Sequence, residues 1–149
     1  MMETFENISQ SISKNFSLCD AEIDEILIDN HSIKFCFSRG FYCIENEKVI
    51  LSKKAFIRFN MCDASDFTCH IFKRVATAKG AELYGKPYSL EEISDSLRTK
   101  GRKIEIYTEL YDFDFLYWRG VFLPYNMTGL SDRIDIELSA QVSVTYSWE

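Results

Sequence analysis

The sequence predicts an α+β domain, mainly antiparallel β, with a sandwich or barrel-like arrangement of its strands. Three observations predict this class. Aromatic residues make up 15% of the 149 residues, and their rings pack well across neighbouring strands. Apolar residues alternate with polar ones along many short segments, which is the period of a half-buried strand. Short polar turns separate these segments, as is typical of sandwiches and barrels.

A short amphipathic helix is predicted at the N-terminus, over residues 5–14. Phe5, Ile8 and Ile12 recur at helical spacing, and Thr4 precedes them as an N-cap. We expect this helix to lie on the surface of a sheet.

The first half of the chain then predicts about six short strands. The first two form a hairpin, in which residues 23–28 precede a turn at Asp29 and Asn30, and residues 33–37 follow it. Period-2 segments and polar turns indicate the remaining strands, which cover residues 41–44, 49–51, 55–59 and 67–71.

Residues 76–101 interrupt this rhythm and are predicted to form an insertion between two β halves. Gly80, Gly85 and Pro87 mark a loop. A second short helix is predicted to follow that loop. Its N-terminus is a capping box at Ser89 and Glu92, its C-cap is Gly101, and its buried stripe is Leu90, Ile93 and Leu97.

Strands return after the insertion, over residues 104–110, 113–123, 134–138 and 142–148. Gly120 is expected to mark a bulge or kink. No repeat, low-complexity tract or linker divides the chain, so residues 1–149 are expected to form a single globular domain.

The net charge of the sequence indicates which classes of partner to expect. Twenty-three acidic residues against seventeen basic ones give a net charge of -6, so the summed field repels nucleic acid and favours a basic protein partner. We expect a cytoplasmic protein with no membrane partner, because the sequence shows no signal peptide and no run of about 20 apolar residues. Five cysteines, an odd number, favour reduced thiols over a disulfide framework.

One segment resembles a phosphate-binding loop. Residues 80–87 match G-x-x-x-x-G-K-[ST] in every position but the last. Pro87 stands there and supplies neither the hydroxyl nor the backbone N–H that the loop requires. Glu82 would also place a negative charge in the cradle, so two turn glycines beside a proline explain the pattern better.

No metal, cofactor or catalytic site is predicted. Cys62, Cys69 and His70 are close in sequence, yet the paired spacing of structural zinc ligands is absent. In a strand, Cys69 and His70 would point to opposite faces. No catalytic motif is present either, and abundant carboxylates alone do not identify an acid–base pair. The sequence therefore favours a role other than catalysis.

Residues 111–119 are the strongest candidate for a partner-binding site. If the segment forms one strand, its side chains alternate between two faces. One face would carry Tyr111, Phe113, Phe115 and Tyr117, and the other would carry Asp112, Asp114, Leu116 and Trp118. Either the aromatic face is core and the aspartates lie in water, or the segment is an exposed acidic and aromatic surface. On the second interpretation the binding residues are Asp112, Asp114, Tyr117, Trp118 and Arg119.

A further pattern lies in residues 19–29, 33–37 and 40–42. These segments resemble the opening of small bacterial β-rich proteins that begin with HD-x-x-I-x-x-I, some of which are immunity-protein-like. Asp20 and Ile23 match that pattern, whereas Cys19 stands where those proteins have histidine. The resemblance implies a β-rich fold and no known catalysis.

Three functions are compatible with these observations. The favoured one is a non-catalytic protein-binding module, immunity-like in character, with a basic protein as partner. The alternative is a small-ligand-binding β-barrel or an enzyme that uses the barrel interior. The third is a homo-oligomer that associates through edge strands or aromatic patches.

Overall fold

A computed structural model describes residues 2–5, 16–112, 115–124, 133–141 and 143–148. In these residues the chain forms two large antiparallel sheets, a small third sheet and one α-helix. The elements are β1 (Met2–Phe5), β2 (Phe16–Ser17), β3 (Glu22–Ile23), β4 (Glu25–Ile28), β5 (Ser32–Phe37), β6 (Tyr42–Glu45), β7 (Lys48–Leu51), β8 (Ala55–Asn60), β9 (Phe67–Thr77), β10 (Gly80–Tyr88), α1 (Leu90–Lys100), β11 (Lys103–Asp112), β12 (Phe115–Leu123), β13 (Ile134–Gln141) and β14 (Ser143–Trp148).

The first sheet has the strand order β1-β14-β8-β5-β4 and the second has the order β10-β9-β13-β12-β11-β3. The third sheet has the order β2-β6-β7. Strands β3 and β4 belong to different large sheets although only Asp24 separates them. The chain therefore turns a corner between the two sheets at this residue.

An aromatic core joins the two large sheets. The rings of Phe35 and Trp118 lie 5.3 Å apart between centroids, and those of Phe59 and Phe67 lie 5.2 Å apart. Both pairs meet edge to face, the arrangement that aromatic quadrupoles prefer. Because Phe35 and Phe59 come from one sheet and Phe67 and Trp118 from the other, the two sheets face each other as in a β-sandwich. The expectation of a mainly antiparallel β domain is confirmed.

The expectation of two α-helices is wrong for the described residues, whose one α-helix is α1; a single turn of 3-10 helix also lies at Ala64–Asp66. Phe5, the first residue of the expected N-terminal helix, lies in β1, which pairs with β14. Pairing with a neighbouring strand supplies hydrogen-bond partners for the backbone N–H and C=O groups of this segment. The helical spacing of its apolar residues therefore does not decide its conformation. Residues 6–15, which hold the rest of that expected helix, lie outside the described residues.

The expected loop at Gly80, Gly85 and Pro87 is also wrong, because these residues belong to β10. This strand pairs with β9 along its whole length. It lies at the edge of the sheet, where a proline is tolerated because one side of the strand has no partner. A Cβ at Gly85 would approach the ring of Phe72 to 2.5 Å, so this glycine makes room for a neighbouring side chain.

The central helix is confirmed, but it does not lie in an insertion. Ser89 Oγ accepts a hydrogen bond from Glu92 N at 3.1 Å, and Ser89 N donates to Glu92 Oε1 at 3.2 Å. Gly101 ends the helix in the left-handed conformation. Ser94 Oγ donates to the Ile26 carbonyl at 2.7 Å and thereby joins α1 to β4. Since β10 and β11 belong to the same sheet, α1 is a connection within that sheet.

Candidate functional site

The segment 111–119 is divided between two strands of a hairpin. Asp112 ends β11 and pairs with Phe115 at the start of β12, and Tyr111 pairs with Leu116. Leu116 and Trp118 are buried, whereas Phe115 is exposed. The expectation that Tyr111, Phe113, Phe115 and Tyr117 form one core face is therefore wrong, because the chain reverses direction within the segment. Phe113 and Asp114 lie outside the described residues.

Trp118 belongs to the core and offers no surface to a partner. Its side chain is 1% exposed, and its ring contacts those of Phe35 and Phe59. The interpretation of Trp118 as an exposed anchor is corrected accordingly. Of the two candidate aspartates, Asp112 lies at the end of β11 and Asp114 lies outside the described residues.

Tyr117 and Arg119 lie on the outer face of the six-stranded sheet, within a polar network. The Tyr117 hydroxyl donates to Glu137 Oε1 at 2.7 Å. The Arg119 guanidinium lies 3.6 Å from Glu137 Oε1 and 3.8 Å from Asp135 Oδ2. Arg133 Nε donates to Asp135 Oδ1 at 2.7 Å.

In this network Glu137 contacts both candidate side chains, Tyr117 and Arg119. Burial, followed by the hydrogen bond to Glu137, raises the pKa of Tyr117 to about 12, so its hydroxyl keeps its proton in neutral solution. Arg119 is only partly exposed and has two carboxylate neighbours. Ion pairs on a sheet surface contribute at most about 1 kcal/mol each to stability, but they occupy the groups that form them. A partner would find neither side chain free.

A bulge at Tyr107 gives β11 two inward polar residues. Ile106 pairs with Gly120, and Thr108 pairs with Arg119, so Tyr107 is the extra residue. The expected irregularity at Gly120 thus lies on the facing strand. Beyond the bulge, Glu109 and Tyr111 pair with the inward-facing residues of β12, and a β-bulge re-aims side chains in this way.

Glu109 anchors the loop that follows β2. The Tyr111 hydroxyl donates to Glu109 Oε1 at 2.7 Å. Burial raises the pKa of Glu109, whereas hydrogen bonds from Tyr111, the Leu18 and Cys19 backbone and the Ser17 hydroxyl oppose that rise. These bonds hold residues 17–19 against the end of the sandwich. Asp20 and Glu22 follow directly, so the same contacts fix their position.

The β6–β7 hairpin exposes four large apolar side chains on one face. Tyr42 pairs with Leu51, and Ile44 pairs with Val49; because side chains alternate along a strand, these four share one side. Their exposed fractions are 42%, 58%, 44% and 69%, in the order Tyr42, Leu51, Ile44 and Val49. Cys43 points the opposite way and is buried. We call these four residues the apolar face.

Local contacts fix this hairpin at both ends. Asn46 and Glu47 form its turn with φ values of 50° and 65°, as a two-residue type I′ turn requires. At the base, Phe41 N donates to Ser52 Oγ at 3.1 Å and Ser52 N donates to the Phe41 carbonyl at 3.0 Å. Gly40 has a φ of 74°, and a Cβ there would lie 2.3 Å from the Ser52 carbonyl oxygen. The hairpin is therefore held firmly although its apolar face is uncovered.

An acidic pocket lies beside the apolar face. Asp20, Glu22 and Glu105 line it together with Tyr42 and Leu51, and its volume is about 230 Å³. Burial, and then the nearby charges of Asp20 and Glu22, raises the pKa of Glu105. Asp20 and Glu22 are therefore close enough to Glu105 for their charges to oppose its ionisation.

Glu22 already has two basic neighbours at this pocket. Its Oε2 atom lies 3.6 Å from Arg39 Nη1 and 3.8 Å from Lys103 Nζ. Both cations are more exposed than the carboxylate. The Glu22 Oε2 atom is nevertheless buried without a hydrogen bond, so its charge is only partly compensated.

The sequence does not predict the apolar face, because the local pattern indicates a covered strand. Val49, Ile50 and Leu51 are three consecutive apolar residues in a short strand beside a polar turn. Such a run is typical of a strand that is covered on both faces. Here β7 lies at the edge of a three-stranded sheet and all four of its residues are exposed.

The structure also locates the residues considered for metal binding. Cys69 is buried and His70 is half-buried on the other face of β9. Burial raises the pKa of Cys69 to about 12 and that of Cys62 to about 11. Within the described residues no group of three or more His, Cys, Asp or Glu side chains could hold a metal ion. In the same part of the chain, no helix combines the length and apolar composition needed to cross a membrane.

Comparison with protein-family models, with curated proteins and with solved structures gave no match.

Proposed function

We propose that this protein is a protein-binding module that docks a basic partner on the apolar face of the β6–β7 hairpin. The observation that carries the proposal is the position of four exposed apolar side chains directly beside an acidic pocket. This combination supports a partner segment with apolar residues flanked by lysine or arginine.

The apolar face supports docking because folding leaves it in water. Val49 and Leu51 are more than half exposed. A partner that covers apolar surface gains about 25 cal/mol of free energy for each Å² removed from water. Edge strands normally carry charges, proline or bulges that prevent pairing with other chains. In β7, Lys48 is the one charged residue, and the following three are apolar.

The charge around the apolar face supports a basic partner. A lysine or arginine side chain that entered the pocket would meet Asp20 and Glu105 beside the Glu22 carboxylate and would offset the repulsion that Glu105 experiences. The net charge of -6 would also steer a positively charged protein towards this molecule and speed the encounter.

A random-peptide selection tests the proposal although the natural partner is unidentified. Phage-displayed peptides are selected on the full-length protein and, in parallel, on the double variant Val49→Ser with Leu51→Ser. The wild-type protein should enrich peptides that combine apolar residues with a net positive charge. The double variant should enrich few of them, because it loses the apolar contacts.

Leu110→Ser is the matched control, since Leu110 is 59% exposed but belongs to another sheet. This variant should select the same peptides as the wild-type protein. The proposal is contradicted if no basic apolar peptides are enriched, or if the double variant enriches them as well as the wild-type protein does.

A further inference from the structure

A second surface feature lies away from the hairpin, between α1 and the five-stranded sheet. It is a cleft with a volume of about 570 Å³, lined by β4, β5, the start of β8 and the second half of α1. Small-molecule sites commonly have volumes of about 300–1,000 Å³. The floor is apolar and consists of Ile26, Ala55 and Leu97, all of which are buried.

Cations gather around this cleft although the protein is acidic. Lys34, Lys54 and Arg98 line it. Lys34 Nζ lies 4.0 Å from the ring centroid of Phe56, and Arg58 approaches the same ring to 5.5 Å. Arg98 pairs with Asp95. By contrast, no carboxylate within the described ranges lies within ion-pairing distance of Lys34 or Lys54.

Two carboxylates also line the cleft, and one of them is engaged by the backbone. Asp24 Oδ2 accepts a hydrogen bond from Ser38 N at 3.1 Å. Glu25 is exposed, and it lies in the edge strand β4, opposite Cys36 of β5. Neither of these carboxylates forms an ion pair with Lys34 or Lys54, so both ammonium groups can still pair with a ligand's anionic group.

We propose that this cleft binds a small organic anion, with its apolar body on the floor and its anionic group between Lys34 and Lys54. An inorganic anion would leave the apolar floor empty, and a neutral apolar molecule would leave the two ammonium groups without an anionic partner. Burying a ligand's charge is favourable only where opposite charges compensate for its lost hydration. This site is independent of the apolar face and of the proposed docking function.

Cys36 provides a direct probe of occupancy. Its thiol lines the cleft and is half-buried, while Cys19 is exposed at a different part of the surface and serves as an internal control. Alkylation of each cysteine by iodoacetamide is followed by mass spectrometry. The probes are naphthoate, the neutral naphthalenemethanol and the cationic naphthylmethylammonium, which share one apolar body and differ in charge.

Naphthoate at about ten times its dissociation constant should slow alkylation of Cys36 by about tenfold and leave Cys19 unaffected. The neutral and cationic probes should protect Cys36 much less. In the double variant Lys34→Gln with Lys54→Gln, naphthoate should protect Cys36 from alkylation no better than the neutral probe does. Arg58→Gln removes a cation from the same sheet without changing the cleft lining, and it should keep the preference for naphthoate.

Equal protection by all three probes would show an apolar cleft without selectivity for anions, and would overturn the proposal. No protection of Cys36 by naphthoate would overturn it as well. Circular dichroism of both variants checks that they are folded like the wild-type protein. Neither result bears on peptide selection by the apolar face, so the two proposals fail separately.

Discussion

The indole Nε1 of Trp118 donates a hydrogen bond to the hydroxyl of Tyr111, 2.8 Å away. That hydroxyl donates in turn to Glu109, which accepts hydrogen bonds from residues 17–19. A polar chain thus runs from the centre of the core to the loop that positions the acidic pocket. Buried polar groups that are fully hydrogen-bonded give a core a unique arrangement.

Tyr111→Phe removes the middle of this chain and should leave the Trp118 N–H buried without a partner. The expected loss in the free energy of unfolding is about 1–3 kcal/mol, the cost of one unsatisfied buried polar group. Urea denaturation followed by tryptophan fluorescence measures it. Tyr42→Phe is the control at an exposed tyrosine and should change stability by less than about 0.5 kcal/mol. Equal effects of the two substitutions would contradict this role of Tyr111.

Trp118→Ala should destabilise the fold by about 3–5 kcal/mol, because it removes a buried ring and leaves a cavity beside Phe35 and Phe59. Thermal unfolding of the variant measures the loss. The sequence alone left open whether Trp118 lies in the core or on the surface. A variant that melts at the wild-type temperature would contradict its place in the core.

Glu105→Gln tests the electrostatics of the acidic pocket. Because the pKa of Glu105 is raised in the folded protein, the folded state binds this proton more tightly than the unfolded chain does. Its contribution to stability is therefore present at acid pH and is lost as the pH rises through the folded pKa.

At pH 7 the glutamine variant should be more stable than the wild-type protein by about 0.5 kcal/mol, the scale of screened charge interactions near a surface. At about pH 3, where the carboxyl is protonated in both states, this advantage should disappear. Urea denaturation at the two pH values measures the difference. The difference in stability between the variant and the wild-type protein is compared at the two pH values. A difference that favours the variant less at pH 7 than at about pH 3 would contradict the like-charge account.

Much of the fold follows from local patterns in the sequence. The hairpin of β4 and β5 has an apolar strand on either side of a polar turn, with alternation in β5, and Ser89 and Glu92 mark the start of α1. These features depend on residues that are neighbours in the sequence, so they can be predicted from one sequence alone. The pairing of β10 with β9 depends on tertiary contacts, and the glycines and proline of β10 conceal its strand.

The candidate site was harder to predict for the same reason. The alternation in residues 111–119 continues across the end of β11, so the sequence does not reveal that the chain reverses there. The bulge at Tyr107 then changes which residues of β11 point inward. Whether Ile44 and Val49 are covered depends on which sheet their hairpin joins. No local pattern contains that information.

Amide NMR of the isotope-labelled protein, titrated with a peptide from the selection, tests the docking account most directly. The account predicts shifts in the amide signals of residues 42–51 and of Asp20, Glu22 and Glu105, and smaller shifts when aspartate replaces the basic residues of the peptide. Shifts confined to other surfaces, such as the cleft beside α1, would contradict docking on the apolar face.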